Sequence, residues 1–469
     1  MTIESTANPA AALRDLADAR VYLPSDSAYD EARMPWNVAV DQRPAAVALP
    51  RTTAEVVALV RAAAENGLKV APQSTGHNAG PLAAHGLEKT VIVRMSEMDN
   101  VAVDPNRQSA RVEGGALWQT AVEAAAHHGL AALHGSSPDV GITGYSLGGG
   151  TGWYARELGL ACNSLTAIEV VIGDGTVVRA DAEHEAALFW ALRGGGGNFG
   201  VVTALEFRLY PIETAYAGML VWDIADTEKV FREWAAWAPG APDEVTTSFR
   251  ILRLPPLPEI PEIVRGRNLV VVDGAVLGSD DRGGELLDGL RALQPEIDTF
   301  ARVPAQALSR LHMDPEGPTP VVSSCTMLDT LPDAAVDALL SAVGPEAQSS
   351  LLIAELRQLG GALARPHNGG GALSKLDAQF VGFAAAVAAT PEMAAQGHAD
   401  VDHFVSALSP WSNDRCYLNF AENPVDPRSA YSDDTWLKLT GIRSAVDPDD
   451  VFLANHKVSR LYENGQPAA

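Results

Sequence analysis

The sequence predicts an α+β protein built from more than one domain, and three observations predict it. At 469 residues the chain exceeds the roughly 250–300 that a single hydrophobic core serves. Up to about residue 210, helical stripes mix irregularly with short hairpin signals, unlike a regular strand–helix–strand alternation. After Pro211 the pattern shifts to longer strands, helices and proline-rich joints such as Leu254-Pro-Pro-Leu-Pro.

Taken in order, Val38-Ala-Val40 is the first hint of a strand, and Pro44-Ala-Ala-Val-Ala-Leu-Pro50 reads as a short one. Thr52 or Thr53 then caps a helix with Val56, Val57, Leu59, Val60 and Ala63 on one face, and Gly67 takes the C′ position. A buried strand over 68–72 enters a loop, and Val91-Ile-Val-Arg94 is a further strand. Val101 and Val103, then Ala110 and Val112, alternate about Asp104-Pro-Asn-Arg, which is a hairpin pattern. Trp118, Val122 and Ala125 form a helical stripe that ends at Gly129. Apolar runs at 165–172 and 176–180 flank Gly173-Asp-Gly, a strong hairpin signal. Asp181 is expected to cap a helix over 183–193, the glycines at 194–197 stop it, and a strand follows over 199–209. The second domain is expected to hold strands at 245–253, 268–277, 351–358 and 378–388, with helices near 227–237, 282–293 and 333–343. A helix around 434–444 and a frayed last dozen residues close the chain.

Composition narrows the function classes. Apolar residues at 47% and charged ones at 20% describe an ordinary globular chain. A net charge of −25 opposes whole-surface binding to nucleic acid or anionic membrane, since both are polyanions. The start of the chain lacks the basic and apolar regions of a secretory leader, and no apolar run approaches the ~18 residues of a membrane span. Cys162, Cys325 and Cys416 are sparse and unpatterned, which suggests free thiols in the cytoplasm. No phosphate-binding G-x-x-x-x-G-K-[ST], zinc-protease H-E-x-x-H or hydrolase G-x-S-x-G motif occurs. His127 and His128 are adjacent on a helix and point apart, so no metal site is expected. Gly150-Thr-Gly-Trp-Tyr-Ala155 fits G-x-G-x-x-A, with Glu169 downstream, but residues 135–149 do not form the β-branched strand a nicotinamide fold needs.

What remains is a set of three glycine-rich loops at 71–80, 135–152 and 194–200, each beside a strand or helix end. Such loops can wrap an extended pyrophosphate-containing cofactor through backbone N–H groups. The first also offers one imidazole, His77, between Gly76 and Gly80.

These loops carry a resemblance. Val70-Ala-Pro-Gln-Ser-Thr-Gly-His-Asn-Ala-Gly80 resembles the histidyl-flavin loop of berberine bridge enzyme-like oxidases, members of the vanillyl-alcohol oxidase/p-cresol methylhydroxylase (PCMH) superfamily. Gly135-Ser-Ser-Pro-Asp-Val-Gly-Ile-Thr-Gly-Tyr-Ser-Leu-Gly-Gly-Gly-Thr-Gly152 resembles the second flavin loop of that family. Leu188-Phe-Trp-Ala-Leu-Arg-Gly-Gly-Gly-Gly-Asn-Phe-Gly-Val-Val202, Tyr417-Leu-Asn-Phe420 and the stretch from Asp447 to Asn455-His456 resemble its later signatures, in the same order. The resemblance implies a bilobal fold: a PCMH-type FAD-binding domain over 1–210, a substrate lobe with an antiparallel sheet flanked by helices over 211–410, and a segment over 411–469 returning to the first domain.

The resemblance also implies roles. His77 corresponds to the histidine that bonds covalently to the flavin 8α-methyl, within a cofactor-binding loop of Gln73, Ser74, Thr75, Gly76 and Asn78. Gln73 stands where the family usually has an arginine, and Ser137, before Pro138, stands where many relatives attach the flavin a second time through cysteine, so one covalent link is expected. Gly135 matches the small residue kept near flavin C4a to admit dioxygen. Val140, Gly141, Gly144, Tyr145, Gly150 and Gly152 are expected to line the cofactor, with Val201 or Val202 near the adenine and Asn455 beside the flavin. Tyr417 matches the tyrosine that takes the substrate's heteroatom proton, and Asn419 would bond flavin or substrate. From the substrate lobe, Arg357, Gln379 and Phe383 are candidates to face the ligand. The implied activity is oxidation of an alcohol, hemiacetal or amine carbon of a small natural product or sugar, with O2 as acceptor and H2O2 as product. A flavin-dependent oxygenase of the same fold and a non-catalytic flavin- or ligand-sequestering protein are the alternatives. The expected partners are a small molecule and O2, with no nucleic acid or membrane, and the sequence leaves the oligomeric state open.

Overall fold

The computed structural model describes residues 9–16, 20–258 and 260–461. The leader reading of the first eight residues and the fraying expected from 462 onward lie outside the described residues. Helix Thr53–Glu65 forms as its sequence dictates. Thr52 is extended and its hydroxyl accepts the Glu55 N–H, while Gly67, at φ +67°, lets the chain leave. Val56, Leu59, Val60 and Ala63 are buried beneath it. This helix joins Ala46–Leu49 to Lys69–Gln73, and both strands lie parallel to Thr90–Arg94 between them. Arg20–Tyr22 adds an antiparallel edge. A second, five-stranded sheet is antiparallel in the order Val101–Asp104, Ser109–Glu113, Val201–Arg208, Leu165–Val171, Val177–Asp181. It contains both hairpins expected from the turns at Asp104 and Asp174-Gly175.

The third sheet has eight antiparallel strands. Thr214–Asp223, Asn268–Val276, Val245–Arg253, Leu351–Gln358, Phe380–Val387 and Val321–Leu328 follow one another across it. Ile297–Asp298 and Ala301–Pro304 pair with the far side of Thr214–Asp223. Strand alternation gives this sheet two different faces. One carries Trp222, Phe249, Ile251, Leu356 and Phe380 into a core with Phe231, Trp234, Val336 and Phe404 from the covering helices Thr227–Trp237, Asp333–Val343 and Pro391–Leu408. Each such side chain stabilises the fold by roughly 1.5–3 kcal/mol. The other face carries Ser248, Arg250, Asp273, Glu355 and Arg357, brought side by side by register: Ser248 pairs with both Asp273 and Arg357, and Arg250 pairs with Glu355.

The last segment comes back to the small sheets. Trp436 and Leu439 of helix Asp433–Val446 join the core of the five-stranded sheet. The Val70 N–H donates to the Val451 carbonyl at 2.8 Å, and the Leu453 N–H donates to the Val70 carbonyl at 2.9 Å. Arg443, fully buried, clasps this return by donating to the Val458 and Phe452 carbonyls and to Asp450, each at 2.8 Å, and to Asn198 at 3.0 Å.

Several expectations are corrected. Residues 38–40 form no strand: the Val40 N–H closes a turn on the Asn37 carbonyl. Asp181 caps no helix. Its carboxylate accepts the Glu183 and His184 N–H groups to end a strand, and helix Ala186–Leu192 starts only after Glu185, at φ +48°. The strands Thr214–Asp223 and Val321–Leu328 and the helix Pro391–Leu408 are additional elements. That helix announced itself: the Thr390 hydroxyl accepts the Met393 N–H, and Pro391 takes the first turn, where its missing N–H costs nothing. Tyr417 directly precedes the turn Leu418–Phe420.

Candidate functional site

A cavity of about 390 Å³ lies between the glycine-rich loops and the polar face of the large sheet. The loop at 74–78, the segment 135–148 and the run 194–198 form one wall, with Val202 among its lining residues. Ile353, Glu355, Arg357, Phe383 and Ala385 form the opposite wall, and Tyr417, Leu418, Asn419 and Phe420 close the seam between them.

His77 is held from three sides. Its ring stacks on Trp36 with centroids 4.1 Å apart and planes 16° from parallel. Its Nδ1 lies 2.7 Å from the Thr75 hydroxyl. Its Nε2 stands 3.7 Å from Asp139, outside hydrogen-bond range but close enough to feel the charge, and has no hydrogen-bond partner. Asp139 in turn accepts the Trp36 indole N–H at 2.6 Å and, at 2.8 Å each, the Gly317 N–H and the Ser137 hydroxyl. Burial opposes its charge, but the His77 imidazole and these donors hold it well below the usual carboxylate range.

Tyr417 is fully buried, and its oxygen receives the Gly150 N–H at 2.9 Å and lies 3.2 Å from Asn419 Nδ2. Burial pushes the phenol up to about 12, and these donors, with the Thr151 hydroxyl, work against that rise. Across the cavity, Asp273 receives Arg250 at 2.5 Å, His312 Nδ1 at 2.8 Å and the Ser248 hydroxyl. Glu355 lies 3.2 Å from His312 Nε2 and receives Arg357 Nε at 2.6 Å. Ser248, Arg250, Asp273, His312 and Glu355 are each at most 2% exposed, so these charges are solvated only by one another. Burial would favour neutral carboxyls, but Arg357 and His312 hold Glu355, and Arg250 and His312 hold Asp273, below their ordinary values.

Residues 44–181 match the FAD binding domain family. Over 206 residues, 43% of this chain and 41% of the relative, the sequence is 35% identical to a xylooligosaccharide oxidase of Thermothelomyces thermophilus. Over 203 residues, 43% and 44% of the two chains, it is 34% identical to the (R)-6-hydroxynicotine oxidase of Paenarthrobacter nicotinovorans. The matched stretch therefore spans less than half the length of these relatives. The whole fold is berberine bridge enzyme-like: BBE-like 1 of Physcomitrella patens superposes with a TM-score of 0.85 at 20% identity, over 97% of this chain and all of that one.

Most of the expected residues lie on the cavity wall. Gln73, Ser74, Thr75, Gly76, His77 and Asn78 line it from the first loop. Gly135, Ser137, Val140, Gly141, Gly144 and Tyr145 line it from the second. Val202, Tyr417, Asn419 and Asn455 complete the set. Four expected residues are not on the wall. Pro138 turns its carbonyl to the Gln119 N–H, and Val201 is buried in the core of the first sheet. Gly150, at φ +82°, and Gly152 stand behind the wall: a Cβ would lie 2.4 Å from the Tyr145 ring at Gly150 and 1.9 Å from the His134 carbonyl at Gly152. Of the substrate-lobe candidates, Arg357 and Phe383 line the cavity and Gln379 is exposed elsewhere.

The wall fits an FAD. Ser74 Oγ, His77 Nε2, Asn78 Oδ1, Thr143 Oγ1 and the Tyr145 hydroxyl are buried without hydrogen-bond partners, a cost that a polar ligand would relieve. Gly141 brings the loop so close to Ser74 that a Cβ would sit 2.4 Å from its hydroxyl. Behind Gln73, Arg94 donates to its amide oxygen at 2.8 Å, so a guanidinium remains near the position where the family's arginine is absent.

Sequence reasoning missed Trp36, Asp139, Glu355, His312 and Asp314. Asp139 had a signal, since a lone carboxylate inside a phosphate-type glycine loop calls for a structural reason. Trp36 had none, lying 41 positions before His77 in an irregular segment.

Proposed function

We propose that this protein is an FAD-dependent oxidase with the flavin covalently attached through His77 alone. The reading divides the chain into an FAD-binding unit over 1–210, a substrate lobe over 211–410 and a returning segment over 411–469. The observation that carries it is the convergence, on one cavity, of a clamped imidazole, a wall of unpaired backbone-loop polar groups and a buried phenol with donors aimed at its oxygen. Bound FAD supplies a two-electron acceptor for hydride from a C–H beside an alcohol, hemiacetal or amine.

The side chains do the rest. Trp36 and Thr75 fix the plane of His77, and Asp139 favours a positive charge developing on its ring. Ser137 offers no thiolate, so a second attachment is absent. Tyr417 first gives its phenol proton to solvent and, as the phenolate, takes the heteroatom proton as the C–H bond breaks, while the Gly150 N–H and Asn419 stabilise the phenolate oxygen. Asn419 is itself fixed by donating to the Tyr145 carbonyl at 2.9 Å. Gly135 leaves the cavity open to O2, which takes the electrons as H2O2. The substrate is drawn from small natural products and sugars, and the lining of the cavity narrows that choice. Cys162, Cys325 and Cys416 are unpaired, which supports a reducing, cytoplasmic setting. Anaerobic mixing with substrate should bleach the visible absorbance of the purified protein, and air should restore it with one H2O2 per substrate. Label from ¹⁸O2 appearing in the product would overturn the oxidase reading.

A further inference from the structure

Resting on the reading that this cavity receives a substrate beside FAD, we infer that the substrate is an apolar, aromatic-bodied acid whose carboxylate docks on Arg357, and that oligosaccharides are excluded. Among the described residues, Arg357 is the sole lysine or arginine on the cavity wall. Its guanidinium is immobilised before any ligand arrives: Nε donates to Glu355 at 2.6 Å, and Nη2 donates to the Ser136 hydroxyl at 3.3 Å and lies 3.2 Å from His312. Nη1 has no protein acceptor among the described residues, which leaves one edge of the planar fork for a ligand oxygen. Such charge-assisted contacts are about twice as strong as neutral ones.

The buried lattice behind Arg357 prevents Glu355 from cancelling it. Asp273, Glu355 and Asp314 face three cationic groups, Arg250, His312 and Arg357, and Glu355 is shared between His312 and Arg357. Burial and Arg250 disfavour a proton on His312, but Glu355 and Asp273 prevail and raise its affinity for one. Two further carboxyls, Asp314 and Glu422, also line the cavity, and the charge of Asp314 bears on Arg357. Asp314 lies 4.0 Å from His312 Nε2 and receives the Ser136 hydroxyl at 3.0 Å, and burial pushes Glu422 up to about 7.

The surroundings decide the body of the ligand. The Arg357 guanidinium carbon lies 5.1 Å from the Phe420 ring centroid, and Phe420 is 5.4 Å from Phe383 and 5.2 Å from Tyr417. Val321, Leu352, Ile353 and Ala385 continue this wall. A sugar carries a hydroxyl on nearly every carbon, and these side chains would leave such hydroxyls unpaired. An aromatic plane stacks on them, as quadrupole-bearing rings do.

Calorimetric titration of the purified full-length protein with cinnamate, cinnamamide and cellobiose tests this. Cinnamate should bind at least tenfold tighter than cinnamamide, and cellobiose should give no binding heat. The double variant Glu355→Gln/Arg357→Met, which removes both charges together, should lose the preference for acid over amide while keeping the visible spectrum. Arg357→Lys, which keeps the charge but not the fork, should weaken cinnamate at least threefold with cinnamamide unchanged, and carries the test if the double variant fails to fold. Cellobiose binding tighter than cinnamate, an acid preference that survives in the double variant, or unchanged cinnamate affinity in Arg357→Lys would overturn the inference. A colourless protein that still prefers the acid would sink the FAD reading and leave this one standing.

Discussion

The two walls of the cavity are built on opposite principles. The FAD-side wall is built on glycine-rich loops: glycines let chain segments approach where a single Cβ would collide with a carbonyl or a ring, and a few side chains such as His77 and Tyr145 stand among them. The substrate-side wall is made of side chains standing on a regular sheet, where pleat and register decide which residues meet. The first wall is specified by residue type at each position and tolerates almost no addition. The second is specified by pairing between distant strands and can change its lining while the sheet stays intact. Fixed cofactor geometry and adjustable substrate choice follow from that contrast.

The largest expected effect lies at the seam. Tyr417→Phe should lower kcat by about 10²–10⁴-fold, measured as peroxide release, with unchanged flavin content. Because burial puts the phenol at about 12, its deprotonated fraction grows tenfold per pH unit below that value. The wild-type kcat/KM should therefore rise with pH between 7 and 9, and the slope should vanish in the variant.

The contrast is tested next by one substitution behind the FAD-side wall and one on the substrate-side wall. Gly152→Ala places a Cβ 1.9 Å from a backbone carbonyl, which cannot rotate away. It should destabilise the protein by about 3 kcal/mol or more in chemical denaturation. Asp139→Asn probes the same glycine-rich loop more gently, at about 2 kcal/mol. The folded Asp139 holds its proton more weakly than the unfolded one, so its contribution is present above about pH 4 and fades as pH falls through the lowered folded value. Wild type and variant should differ in stability at pH 7 and converge in acid. On the other wall, Phe383→Leu should cost less than about 1.5 kcal/mol while weakening aromatic ligands, read by thermal unfolding and titration.

Much of this was legible in the chain itself, and what was not has a physical reason. Helix Thr53–Glu65, the hairpins and the strand Val245–Arg253 follow from caps, turns and periodicity, all local signals. The glycine loops were legible because glycine at those positions reflects a backbone demand. The charge lattice was not. Arg250 and Asp273 come from two strands and Glu355 and Arg357 from a third, and the pairing of Ser248 with Asp273 and Arg357, and of Arg250 with Glu355, brings them together beside His312. A one-residue slip would turn each strand's polar set into the helical core. Strand Thr214–Asp223, with small residues among its larger ones, lacked the alternation that marks a strand. Asp181 misled because a carboxylate that closes a turn looks, in sequence, like one that caps a helix.

The central claim is that one clamped imidazole carries the redox group. Acid precipitation of wild type and His77→Ala, both reconstituted with FAD, tests it most directly. The account predicts yellow colour retained in the wild-type pellet and released to the supernatant by the variant. Colour released from both, or retained by both, would contradict it.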